Sequence, residues 1–184
     1  PAPRPNPEHC INRGPPHNTF QFGFSKGRSS KDVVHAMRAA ATSARDDGHA
    51  LYIVTLAVHK AFDNMRQDKI VKLLRDLELP ESLCRAVENV VCGKTVQYKL
   101  PPNSCTGKVK LNRGLLQGCP LSPCLFRVCM NQIFTRLVAK WTHHEIGFNL
   151  HHNGETIPSM LFADDVFLLA HKSTHVRDMI ADVE

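Results

Sequence analysis

The stretch SMLFADDVFLLA, residues 159–170, sets Asp164 and Asp165 side by side in an otherwise apolar run. Met160, Leu161 and Phe162 precede the pair, and Val166, Phe167, Leu168 and Leu169 follow it. Two short apolar strands around a two-residue polar break form a hairpin pattern. Asp tolerates turn geometry, so an exposed turn is one reading. Adjacent like charges repel, however, and burying either one unpaired is costly or shifts its pKa. A bound cation removes both penalties. The stretch therefore demands antiparallel pairing here and leaves two readings open, a plain turn or a cation site.

The elements around it are mixed. Residues 1–19 hold six of the twelve prolines and read as an irregular lead-in. QFGFSKGRSS (21–30), with two glycines and the cations Lys26 and Arg28, reads as a loop. A helix follows, capped by Ser29 or Ser30, with Val33, Met37, Ala40, Ala41 and Ala44 at helical spacing and Gly48 at its end. ALYIVTLA (50–57) reads as a buried strand. Ile70, Val71, Leu73, Leu74 and Leu77 mark a second helix closed by Pro80, and 81–92 a third ending at Gly93. KTVQYKL and GKVKLNR flank the turn-rich PPNSC and predict a basic hairpin. RGLLQGCPLSP (113–123) is a turn opening the longest helix, roughly 121–140, with Phe126, Met130, Ile133 and Leu137 as its apolar stripe. Asn153-Gly154 signals a further hairpin, and a last helix starts at Ser173. Hairpins among helices predict an α+β domain, an antiparallel sheet backed by helices.

Length and composition set outer bounds. A chain of 184 residues, 42% apolar, suffices for one domain with a real core, with or without subdomains. No uninterrupted run of 18 apolar residues occurs, so a membrane-spanning helix is not expected. The chain opens on Pro1 without a signal-peptide pattern, and its natural start is expected upstream. Seven scattered cysteines, with no C-x-x-C pair, read as free core thiols in a reducing compartment. The doublets His143–His144 and His151–His152 read as solvated loop residues, with metal binding as the less favoured alternative. The net charge is +6, but its distribution says more. From Gly93 to His144 there are eight basic residues and no acid, against 15 basic and 17 acidic residues elsewhere. A basic half on a near-neutral body suits either a polyanionic partner or a merely basic surface.

Taken in order, QFGFSKGRSS, the strand running into HKAFDN (59–64), the RGLLQGCPLSP turn before a long helix, and the FADD hairpin resemble the reverse transcriptase domain of LINE-type (non-LTR) retrotransposons. The resemblance covers about residues 20–172. FADD alone is a weak signal; four blocks in order are a strong one. The resemblance implies a polymerase palm with part of the fingers and no thumb, truncated after the Asp-Asp hairpin. It implies an RNA-directed DNA polymerase that uses two magnesium ions, an RNA template, a DNA primer and dNTPs. It also implies copying at chromosomal DNA, hence an intracellular, nuclear location.

Residue by residue, the resemblance makes Asp164 and Asp165 the catalytic, metal-binding tip, with the Val58 backbone carbonyl facing a metal. The family's first strand carries an Asp, three residues, then Ala-Phe-Asp. Counting back from Ala61-Phe62-Asp63 puts that Asp at 57, where this chain has Ala57. A methyl group cannot ligate magnesium, so the site is a ligand short and catalysis is expected to be impaired. Asp63 is implied as a structural hydrogen-bond partner. Phe62 corresponds to an aromatic residue beneath the incoming sugar, or is simply a core Phe. Gln117 and Gly118 correspond to a turn lying against the nucleotide, or to an ordinary glycine turn. Lys26 and Arg28 correspond to contacts with triphosphate or template phosphates, or to a solvated loop. Lys94, Lys99, Lys108, Lys110 and Arg113 are implied to track a nucleic-acid backbone without reading sequence; Tyr98 is the lone aromatic there.

Two other readings remain at this point. One is a non-catalytic, nucleic-acid-binding relic of the same fold. The other is an unrelated α+β protein with chance motifs, which predicts Ala57 and Asp164 far apart.

Overall fold

The structure, a computed structural model, describes residues 21–102, 104–150 and 155–184. The proline-rich lead-in and Asn153-Gly154 lie outside the described residues. The chain divides into two units, whose described parts are residues 59–129 and residues 21–58 with 130–184. No helix among the described residues is long and apolar enough to cross a membrane.

The second unit is built on a three-stranded antiparallel sheet of order β1-β9-β8, from β1 (Tyr52–Ala57), β8 (Ser159–Phe162) and β9 (Asp165–Ala170). α1 (Ser30–Asp46) lies against β8. Its start follows from a capping box, in which Ser29 and Asp32 satisfy each other's backbone N–H groups. Val33, Ala40 and Ala44 pack with Phe22, Met160 and Leu169 into one core cluster. The expected helix face is nearly right, but Ser43 is buried where Ala41 is exposed. β6 (Phe148–Leu150) and β7 (Glu155–Ile157) form the hairpin expected around Asn153-Gly154.

α4 (Leu121–His143) and α5 (Ser173–Val183) are joined near their ends by Asp182, which accepts from Lys140 Nζ at 2.6 Å and from the buried Trp141 Nε1 at 2.8 Å. α5 contacts β9 and β1. On α4, Phe126 and Met130 are buried as expected, but Phe134 is buried in place of Ile133, which is 53% exposed.

β1 corrects another expectation. It is mostly exposed rather than buried, with Tyr52 and Ile53 about two-fifths accessible. Among the described residues it pairs only with β9, and an edge strand keeps one flank open.

In the first unit, α2 (Gln67–Asp76) and α3 (Glu81–Val91) pack through Ile70, Val71, Leu74, Cys84, Val87 and Val91. A ribbon follows. β2 (Thr95–Val96) pairs with β5 (Val109–Lys110), and β3 (Lys99–Leu100) with β4 (Ser104–Cys105). Where the ladder breaks between these pairs, the Thr106 hydroxyl accepts from Tyr98 N–H at 2.9 Å in place of a carbonyl. The cysteines are not uniformly core. Among the described residues all are free, but only Cys84 and Cys129 are buried, and burial pushes the Cys129 thiol up to about 12.

Candidate functional site

The β1–β9 ladder runs from Tyr52 opposite Ala170 to Ala57 opposite Asp165. Directly paired residues share a sheet face, so Ala57 is the cross-strand neighbour of Asp165. Phe162, paired with Asp165 from β8, belongs to the same face. Past the end of β1, Val58 N–H donates to the Asp164 carbonyl oxygen at 3.2 Å. Asp164 and Asp165 are half-buried and Ala57 is exposed. The two acidic residues, Ala57 and Val58 are thus brought together, against the reading of chance motifs.

The hairpin loop is Ala163–Asp164, one residue earlier than the sequence pattern places it, because Asp165 already pairs with both Phe162 and Ala57. Ala163 takes the left-handed φ of 56° that closes the loop. An L-residue there costs about 1–2 kcal/mol, so the turn is held by its surroundings rather than by its own preference.

Two carboxylates on adjacent residues are the hard oxygen donors a magnesium ion prefers, with phosphate and water oxygens completing the shell. The donor set fits one such ion. It does not reach the three-carboxylate set implied for two, and among the described residues no three His, Cys, Asp or Glu gather into a metal cluster. At position 57 the sheet presents a methyl.

Within the first unit, hydrogen bonds tie the Phe62–Gln67 segment to Gly114 and Leu115, the residues that lead into Gln117–Gly118. Leu115 N–H donates to Phe62 O at 2.9 Å, Gly114 N–H to Met65 O at 2.8 Å, and the buried Gln67 Nε2 to Gly114 O at 2.9 Å. Gly114 has φ 89°, and a Cβ there would lie 3.1 Å from Asp63 O. Phe62 stacks on the buried Phe126 with ring centroids 4.7 Å apart, so its ring is oriented, not merely present. Gln117 and Gly118 are exposed, with Gly118 at φ 82°. Asp63 is exposed, and the side-chain bond closing its turn is made by Asn64 Nδ2 to His59 O at 2.9 Å. The structural role expected of Asp63 falls to its neighbour.

Lys26 and Arg28 are exposed, on a turn closed by Arg28 N–H to Ser25 O at 3.1 Å. The Arg28 guanidinium sits 5.3 Å from the Phe22 ring centroid, a cation–π distance. Lys99, Lys108, Lys110 and Arg113 are exposed along the ribbon and its exit, and Lys94 is half-buried at its base. Tyr98, Leu100 and Val109 are exposed among them.

Three contributors escaped sequence reading: Phe126 as the platform for Phe62, Asp182 as the clasp of α4 and α5, and Gly23. Only Phe126 left a signal, as a member of the apolar stripe of α4.

Residues 9–184 match the family described as reverse transcriptase (RNA-dependent DNA polymerase). The chain is 30% identical over 142 residues to the retrovirus-related Pol polyprotein of type-1 retrotransposable element R2 from Popillia japonica, covering 77% of this chain. It is 30% identical over 168 residues, 91% of the chain, to the R2 polyprotein from Nasonia vitripennis. It spans 19% and 16% of the length of those two relatives. Its fold is similar to telomerase from Candida tropicalis in complex with a fragment of telomeric RNA, with TM-score 0.67 and 9% identity over 96% of this chain and 29% of that one. Telomerase from Candida albicans with the same kind of RNA fragment gives 0.63 and 12%, over 88% and 28%. The α+β palm-type fold agrees with these structures, and the family match spans all four ordered motifs: the chain belongs to the reverse transcriptase family, on its LINE-type retrotransposon side.

Proposed function

We propose that this chain is the fingers–palm part of an RNA-directed DNA polymerase whose chemistry is impaired at Ala57. The observation that carries the reading is the register of β1 on β9, which sets a methyl opposite Asp165. Asp164 and Asp165, with the Val58 carbonyl, would hold magnesium. When bound, the ion supplies positive charge against phosphate oxygens and acidifies a coordinated hydroxyl. The Phe62 ring, held by Phe126, would crowd a 2′-hydroxyl and favour dNTPs. The Gln117–Gly118 turn would lie along the base, where the absent Cβ lets the backbone approach. Lys26 and Arg28 would attract the triphosphate, and the ribbon lysines with Arg113 the template backbone. Telomeric RNA on the telomerase neighbours supports RNA as a partner here. Copying at chromosomal DNA would make the nucleus its place of work, which fractionation of expressing cells checks.

Losing a principal charge stabiliser costs a rate factor of about 10³, or ~4 kcal/mol. The test is Ala57→Asp, assayed by single-dNTP addition to a primed RNA template with magnesium. A rise of about that size supports the reading, and equal activity before and after refutes it. Ala57 also favours a second reading, a relic that binds nucleic acid without chemistry. Tight RNA–DNA duplex binding with no incorporation, even after Ala57→Asp, would select it.

A further inference from the structure

The Asp hairpin is buttressed from outside its own sheet order. Gln21 forms a parallel bridge to Leu161, and Phe22 N–H donates to Leu161 O at 2.8 Å. The chain then bends across the hairpin loop at Gly23. A Cβ on Gly23 would overlap Ala163 N and come within 2.8 Å of Ala163 Cα and 3.0 Å of Phe162 C. These are backbone atoms that cannot swing aside as a side chain would. Gly23 does not have a left-handed φ, so glycine is required here by closeness, not by conformation.

The approach is fixed from the other side by Gln21. This side chain is 94% buried, and its Oε1 accepts from Gly23 N–H at 2.8 Å. Its Nε2 is buried with no partner among the described residues. Rotating the amide would set a donor against the Gly23 N–H, so the backbone dictates which way it points. Ser25 Oγ donates to Gln21 O at 3.1 Å and ties the following turn, with Lys26 and Arg28, to the same anchor.

We propose that Gly23 is a positioning residue that seats the strained Ala163–Asp164 turn and so sets where Asp164 and Asp165 present their carboxylates. This rests on the reading of that pair as a metal site. Its consequence is that the cationic loop and the acidic turn move as one piece: what displaces residues 21–23 displaces the metal ligands.

The test is amide hydrogen exchange by NMR on the chain without metal, followed by Mn²⁺ titration of the Ala57→Asp chain by paramagnetic broadening. The reporter is Val58 N–H, bonded to Asp164 O, and the reference is Leu169 N–H, bonded to Pro158 O at 2.9 Å at the far end of β9. Gly23→Ala should speed exchange at Val58 by about tenfold and leave Leu169 unchanged, the signature of local opening. Gln21→Met, which keeps volume but removes the acceptor, should act in the same direction by about threefold and serves if Gly23→Ala does not fold. Unchanged Val58 exchange in these variants overturns the proposal, as does parallel acceleration at Val58 and Leu169. On the Ala57→Asp background, Gly23→Ala should weaken Mn²⁺ binding by about tenfold, and unaltered affinity overturns the positioning role. If Ala57→Asp alone takes up no Mn²⁺, the metal reading fails, and the exchange result decides the role of Gly23 by itself.

Discussion

Ala57 faces Asp165 directly across the β1–β9 ladder, on the one sheet face that also carries Phe162. Restoring a carboxylate there has a structural cost before it has a catalytic effect. Like charges directly opposite on a sheet destabilise by about 0.2–1 kcal/mol. Ala57→Asp should therefore lower the thermal midpoint slightly in chelator, and millimolar Mn²⁺ should raise the variant's midpoint above that of the unsubstituted chain in the same buffer. A metal-insensitive midpoint would count against a cation site.

Ala163 holds a φ of 56° that suits glycine better. Ala163→Gly should stabilise the fold by about 0.5–1 kcal/mol in urea unfolding, since the relief of backbone strain exceeds the added chain entropy of glycine.

Asp182 bonds to Lys140 and to the buried Trp141 indole. Asp182→Ala strands that indole N–H and should cost about 1–3 kcal/mol. The Lys140 and Trp141 bonds hold the Asp182 carboxyl below the usual carboxylate range. A depressed folded pKa contributes stability that is present above the unfolded value, about 3.9, and is lost as pH falls through the folded one. Asp182→Asn should therefore flatten the acid limb of stability below about pH 4 while changing little of its shape near neutrality.

Phe126 orients Phe62 by stacking. Phe126→Leu keeps most of the buried volume and should cost only about 1 kcal/mol. On the Ala57→Asp background it should narrow the preference for dNTPs over rNTPs, read as a ratio of kcat/KM values. An unchanged ratio would assign Phe62 to the core alone.

Charge reversal of Lys99, Lys108 and Lys110 to Glu should weaken RNA binding and flatten its salt dependence. If all three meet phosphates, the slope of log K against log salt should fall by about 2 on single strands. Fold stability should hold within about 0.5 kcal/mol, because all three are exposed.

Much of this architecture is legible in the sequence because it rests on local rules. Ser29 with Asp32 starts α1, Pro80 separates two helices, and Asn153-Gly154 announces a hairpin whose flanking strands do pair. Two of the misreadings have plain physical causes. Periodicity locates a helix but blurs its buried face by one position, as with Ile133 and Phe134, because one residue is a turn of only 100°. An apolar run like that of β1 reads as buried whether or not a strand covers both flanks. The roles of Gly23, Gly114 and Phe126 depend on what meets them from distant sequence, and no local pattern encodes a neighbour. The acidic hairpin is legible from its own apolar flanks, but its catalytic role and the missing carboxylate are legible only through family resemblance. The register that makes the absence matter is a tertiary fact.

The open flank of β1 carries a last consequence. Its outward N–H and C=O groups meet no strand among the described residues, and Tyr52 and Ile53 lie along the same rim. Such a rim is a template on which any extended peptide can zip itself. In concentrated solution, copies of this chain should find one another edge to edge, and a short β-forming peptide supplied in trans should compete with that self-association.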